Sequence, residues 1–187
     1  MANIIIITGP QAVGKMTVAE KLKEKIGYSL MTNHDSIELS IKIFKNRSSE
    51  QREFSERIRQ SAFDAAVNNN VNMIFTYVTA FDCQDDIDYL NNIKNKFEKS
   101  GGKFYFVELN ASLAVRLERN VTPHRLESKL SKNDIEWSNK DLIESMEKYR
   151  LNSNNDELLF PNHIKINNDN LDPDIVADMI ISKFNLS

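Results

Sequence analysis

Asn3-Ile-Ile-Ile-Ile-Thr-Gly-Pro-Gln-Ala-Val-Gly-Lys-Met-Thr17 decides how the rest of the chain is read. Ile4 to Ile7 form a β-branched run suited to a strand buried on both faces. Gly9, Gly14 and Lys15 then meet the spacing G-x-x-x-x-G-K, in which glycines let backbone N–H groups turn toward an oxyanion. Val18, Ala19, Leu22 and Ile26 follow at helical spacing, with Glu20, Lys21, Lys23 and Lys25 between them and Gly27 as the stop. Strand, loop and helix in that order distinguish a phosphate cradle from a plain βα turn.

Lys15 adds a full charge to the cradle. At ~4 Å and an effective dielectric of about 20, one such pair is worth on the order of 4 kcal/mol before desolvation. The residue after the lysine is usually Ser or Thr, whose hydroxyl touches Mg²⁺. Here that position holds Met16, and the hydroxyl comes one residue later, at Thr17.

Composition bounds the rest. With 187 residues, 41% hydrophobic and 27% charged, the chain suits one soluble domain, 1–187. The 24 basic and 27 acidic side chains leave a net charge of -3, which gives no general field for nucleic acid or an anionic membrane. Cys83 is the lone cysteine, so no internal disulfide forms and the cytoplasm is the expected compartment. The run from Ile4 is too short to span a membrane and has no basic leader or small-residue cleavage site.

Along the chain, Tyr28 to Thr32 reads as a second strand whose end carries Asn33-His34-Asp35. Polar side chains at that edge are expected where ligands bind in open parallel sheets. Ser36 to Phe44 puts Ile37, Ile41 and Phe44 on one helical face, and Ser48 to Gln51 resembles a capping box opening a helix to about Val67. That helix carries Arg52, Arg57 and Arg59. Val71 to Val78 predicts a third strand beside the first, followed by Thr79-Ala-Phe-Asp82. An amphipathic helix from Asp85 to Lys99 ends at Gly101-Gly102, before a fourth strand from Lys103 to Leu109. Leu113, Val115 and Leu117 mark a short helix with Arg116 and Arg119, and the polar stretch Asn120 to Asn133 suits a mobile cover. A helix from Asp134 to Tyr149, a short strand at His163 to Ile166, and a last helix capped by Asp172-Pro173 complete the chain. Its Ile175, Val176, Met179, Ile180 and Phe184 are expected to face the core. Strands alternating with helices imply an α/β fold with a parallel sheet covered on both faces.

Taken together, Gly9 to Thr17, His34-Asp-Ser-Ile37, Leu113 to Arg125 and His163 to Asn170 resemble the P-loop small-molecule kinases. These include shikimate kinase, chloramphenicol phosphotransferase, tunicamycin-resistance ATP-binding proteins and nucleoside monophosphate kinases. The resemblance spans nearly the whole chain in layout, and only the first motif is strongly diagnostic. It implies a three-layer α/β/α sandwich with strand order 2-3-1-4-5 and a lid at about 119–133. It also implies ATP with Mg²⁺ as phosphoryl donor and a small-molecule acceptor, with the oligomeric state open.

By the same resemblance, Gly9, Ala12, Val13, Gly14, Lys15, Met16 and Thr17 hold the phosphates, Thr17 is the candidate metal ligand, and Arg119 lies near the adenine. Asp35 matches the aspartate that contacts or deprotonates the acceptor hydroxyl, and Arg125 meets the transferred phosphate as the lid closes. The residues read alone also allow Asp35 to cap the following helix, and lid arginines to be merely solvated. Arg57 and Arg59 are read either as binding an anionic acceptor group or as the wet face of the long helix, and Thr79 is a further acceptor-side candidate. The acidic pair and the Gly-Gly-Gly run of shikimate kinases are not met, because Asn33 and Thr76-Tyr-Val-Thr79 stand in their places. A nucleoside monophosphate kinase and a nucleotide-binding module without transfer activity are the competing readings.

Overall fold

The structure is a computed structural model, described here for residues 1–44, 48–122, 135–157 and 159–186. Five parallel strands, β1 (Ile4–Thr8), β2 (Ser29–Thr32), β3 (Met73–Thr76), β4 (Phe104–Asn110) and β5 (His163–Asn167), form one sheet in the order β2-β3-β1-β4-β5. Ile4 is level with Met73 on one side and Phe104 on the other, which puts the phosphate-loop strand at the centre. The helices among the described residues are α1 (Lys15–Ile26), α2 (Asn33–Ile41), α3 (Ser49–Asn68), α4 (Gln84–Lys99), α5 (Leu113–Asn120), α6 (Ile135–Lys148) and α7 (Pro173–Phe184).

The isoleucine run becomes the centre because its side chains alternate between two apolar layers. Ile5 and Ile7 pack with Val18 and Leu22 of α1 and Val176 and Ile180 of α7. Ile4 and Ile6 pack with Phe63 of α3 and Leu90, Ile93 and Phe97 of α4. Each such side chain, removed from water, contributes roughly 1.5–3 kcal/mol. Burial on both faces leaves the sheet's C-terminal edge, where the loops gather, as the place for polar chemistry.

Several elements differ from the sequence expectation. The buried face of α2 is Ser36 and Ser40, whereas Ile41 is exposed. These serines lie against α3, where Ser55 and Gln51 hydrogen-bond to Ser40 Oγ at 2.9 and 3.0 Å. Small polar side chains thus bring two helices together through a buried network. Ser48 does cap α3, accepting from the Gln51 N–H at 3.3 Å, but the Gln51 amide reaches Ser40 rather than closing a capping box. In α5, Leu113 is exposed and the Arg116 side chain is 1% exposed against Met146 of α6. Burial lowers the Arg116 pKa, and its Nε and Nη1 have no hydrogen-bond partner among the described residues. In α7, Ile175 and Met179 face outward, and Val176, Ala177 and Ile180 make the core face. Of the expected lid, residues 123–133 lie outside the described residues, so Arg125 does too.

Candidate active site

The phosphate loop runs from the end of β1 into α1. Gly9 has φ 133°, and a Cβ there would lie 2.3 Å from Leu109 O of β4, so only glycine lets the loop cross that strand. Gly14 (φ 101°) precedes α1 with no side chain capping the helix. Gly14 thus offers the first-turn N–H groups no side chain, and they lie at the positive end of the helix dipole. Lys15 Nζ donates to Gly9 O at 2.6 Å and Pro10 O at 2.8 Å, so its ammonium is folded over the mouth of the loop. Backbone donors and a cation thus converge on one concave turn, the arrangement an oxyanion needs.

Arg119 closes the far side of this loop. Its guanidinium donates to Val13 O (3.1 Å), Asn168 O (2.7 Å) and Asp169 O (3.2 Å), tying α5 to the loop and to the β5–α7 connection. Asn168 Nδ2 also donates to Val13 O at 2.9 Å. On the opposite side, Thr8 Oγ1 donates to Thr79 Oγ1 at 2.8 Å and accepts from the Thr79 N–H at 3.1 Å. Both threonines are fully buried, which makes Thr79 a brace between β1 and β3 rather than a group a ligand can reach. A net stabilisation of about 1 kcal/mol is typical of such a bond.

The acceptor-side candidates fall on α2 and α3. Asp35 is not the N-cap. Thr32 is, and Asp35 sits at the third helical position, its Oδ2 accepting from the Thr32 N–H at 2.6 Å while its own N–H donates to Thr32 Oγ1 at 3.3 Å. The carboxylate is exposed at the end of β2, two strands from β1, a separation of roughly 10 Å. Arg57 points outward over the Phe54 ring, 5.7 Å from its centroid. Arg59 is the arginine that turns inward. It pairs with Glu56 (2.6 Å), donates to Asn33 Oδ1 (2.8 Å) and Ser36 Oγ (3.0 Å), and stacks on Tyr89 at 5.9 Å.

From Tyr89 the contacts continue to Tyr77, with ring centroids 5.1 Å apart, and from the Tyr77 hydroxyl to Asp86 Oδ1 at 2.9 Å. Burial, with Asp86 alongside, pushes the Tyr77 phenol above its ordinary value, so it remains a donor. Asp86 borders a cavity of about 250 Å³ that also touches Gln11 of the phosphate loop and Tyr149 beyond α6. Sequence reasoning missed this trio. Asp86 reads as an acid in the first turn of a helix, and Gln11 as a loop filler; only the crossing of β1, β3 and the chain after α6 brings them together.

Behind the loop, Glu108 of β4 is fully buried and accepts from Ser153 Oγ (2.5 Å), Ser153 N (2.9 Å) and Asn152 Nδ2 (2.8 Å). His163 Nε2 lies 3.3 Å and Lys165 Nζ 3.5 Å from its oxygens. Burial pushes the carboxyl up, but His163, Ser153 and Asn152 outweigh it and hold Glu108 down at about 2. This cluster anchors residues 149–157, from which Tyr149 reaches the cavity.

Metal donors are sparse. Among the described residues no group of three or more His, Cys, Asp or Glu could hold a metal ion. Around the loop the chain presents the Met16 thioether, a poor partner for hard Mg²⁺, and the Thr17 hydroxyl about 100° further round α1. This donor set does not match a Mg²⁺ ligand shell. Among the described residues no helix is long and apolar enough to cross a membrane.

No protein-family model and no curated protein matches the chain. Solved structures do. APS kinase of Mycobacterium tuberculosis, in complex with AMPPNP and APS, matches with a TM-score of 0.59 at 14% identity, over 98% of each chain. Shikimate kinase of Acinetobacter baumannii, in complex with shikimate, matches with a TM-score of 0.58 at 17% identity, over 99% of this chain and 94% of that one. The tunicamycin resistance protein of Deinococcus radiodurans gives 0.57 at 18% identity, over 100% and 98%. With its central phosphate-loop strand, strand order and near-complete coverage by these neighbours, the chain has the fold of the P-loop small-molecule kinases.

Proposed function

We propose that the protein is an ATP-dependent phosphotransferase that moves the γ-phosphoryl group of ATP to a hydroxyl of a small molecule. The observation that carries this reading is the uncapped start of α1, with Lys15 folded over it, at the centre of the C-terminal sheet edge. The loop amides from Gly9 to Thr17 and Lys15 bind the phosphates, and Arg119 borders the base. The acceptor oxygen attacks the γ-phosphorus, forming the new O–P bond. The bond from that phosphorus to the β,γ-bridging oxygen breaks, and its electron pair leaves with ADP. Asp35 Oδ2 is held by the Thr32 N–H, so Oδ1 takes the hydroxyl proton. Arg125 meets the charge on the transferring group. Mg²⁺ carried by ATP would neutralise charge on the phosphates, with no protein ligand assigned to it.

Met16 favours one alternative, a nucleotide-binding module with little transfer. ADP release measured with an acceptor panel that includes nucleoside monophosphates separates the readings. Acceptor-stimulated release supports the phosphotransferase, and selective stimulation by nucleotides makes it a nucleoside monophosphate kinase. ATP binding with no acceptor-stimulated release leaves the module. Asp35→Asn should keep ATP affinity while lowering transfer by ~100-fold; unchanged transfer would remove Asp35 as the base.

A further inference from the structure

The cavity beside the phosphate loop has an unbalanced hydrogen-bonding inventory. Asp86 Oδ1 accepts from the Tyr77 hydroxyl at 2.9 Å and Oδ2 from the Ala80 N–H at 2.7 Å, which leaves each carboxylate oxygen room for one more donor. Gln11 Oε1 is buried and has no partner among the described residues. Ser145 donates its hydroxyl proton to Asp141 O at 2.6 Å, so toward the cavity its oxygen only accepts. Three side chains therefore present acceptors to the same space, the Asp86 carboxylate among them, beside the donors of the Gln11 amide, the Cys83 thiol and the Tyr149 hydroxyl. Val78, Ala80 and the Tyr149 ring supply the apolar walls.

A ligand satisfies such a site by bringing donors. Hydroxyl and ammonium groups donate, whereas a carboxylate, sulfate or phosphate monoester brings further acceptors and a charge of the same sign as Asp86. The bound triphosphate adds still more negative charge on the Gln11 side, which raises the cost of an acidic acceptor. Arg59, which reaches this cluster through Tyr89, is occupied by Glu56, Asn33 and Ser36.

We infer that the phosphoryl acceptor is a polyol without an acidic group, neutral or amine-bearing, whose donors are held by Asp86 and Gln11 beside the phosphate loop. This rests on the phosphotransferase reading above, and it deepens that reading by fixing the charge class of the acceptor.

Binding measured apart from turnover tests it. With a non-hydrolysable ATP analogue present, the wild-type chain is titrated with the size-matched probes glucose, glucosamine, gluconate and glucuronate and with an aminocyclitol such as kanamycin. The non-acidic probes are expected to bind at least tenfold more tightly than the acids. Asp86→Asn should weaken glucosamine by about tenfold, change glucose less, and leave the affinity for the ATP analogue unchanged. Gln11→Ala should weaken the glucose and glucosamine affinities alike. Gluconate or glucuronate binding as tightly as glucosamine would overturn the inference, as would failure of every non-acidic probe to bind. Phosphoryl transfer to the same probes is read separately with ATP. Selective binding without transfer would remove the phosphotransferase reading and leave the site's charge preference in place.

Discussion

Two of the helices that start at the C-terminal edge of this sheet, α1 and α2, treat their first turns in opposite ways. After β1, α1 begins behind Gly14 with no capping side chain. After β2, α2 begins behind Thr32 with a full capping box, in which Thr32 and Asp35 satisfy each other's N–H groups. The same macrodipole is present in both. The difference decides their use: α2 has supplied its own anion, while α1 has no capping side chain of its own. A helix N-terminus becomes an anion site only where the sequence withholds the cap. Asp35 accordingly carries two functions, as the internal anion of α2 and as the proposed base, through different oxygens.

Glu108 marks the satisfied extreme, because every donor around its buried carboxylate comes from the protein. Its folded pKa, about 2, lies below the ordinary carboxylate value of about 4.3. Its contribution is therefore complete above roughly pH 4.5 and is lost as pH falls through the folded value. Linkage puts this at roughly 3 kcal/mol. Acid titration of stability should show a drop between about pH 4.5 and 2 that is absent in Glu108→Gln. A wild-type profile matching the variant's across that window would show that the cluster does not hold the charge. At neutral pH, Glu108→Gln should itself be destabilised, since Lys165 and His163 lose their carboxylate.

Next in size is the open end. Lys15→Ala should weaken ATP binding by at least tenfold, more than about 1.4 kcal/mol, with little change in melting temperature. Calorimetric titration giving an unchanged affinity would end the phosphate-loop reading. The smallest effect belongs to the closed end. Thr32→Ala removes one half of the capping box and should cost about 1 kcal/mol in chemical denaturation. ATP affinity should stay unchanged. A fall in ATP affinity as large as that of Lys15→Ala would mean that the two helix starts are coupled, and the contrast between them would fail.

Much of this contrast is legible in the chain itself. Gly9, Gly14 and Lys15 after four isoleucines declare the loop, and Asp172-Pro173 and Gly27 place helix ends that the structure reproduces, with Asp172 accepting from the Asp174 N–H at 2.8 Å. The acceptor side was not legible in the same way. Periodicity assigns Ile175 and Met179 to the core, yet both face outward, and on α2 and α5 the buried residues are Ser36, Ser40 and Arg116, because contacts between helices, not hydrophobicity alone, choose the faces. Nor could spacing tell Arg59 from Arg57 on one helix. They differ by two positions and about 200° of rotation, and only the presence of Asn33, Ser36 and Tyr89 on one side gives Arg59 its partners.

By itself the sequence determined the alternation of strands and helices and the identity of the phosphate-binding turn. Both follow from local rules: side-chain period, glycine at positive φ, and the residues that start or stop helices. Tertiary structure alone decided that Thr79 is a brace and that Asp86 and Gln11 border one cavity. These depend on which strands are neighbours, and the order β2-β3-β1-β4-β5 is set by long-range packing that no local pattern encodes.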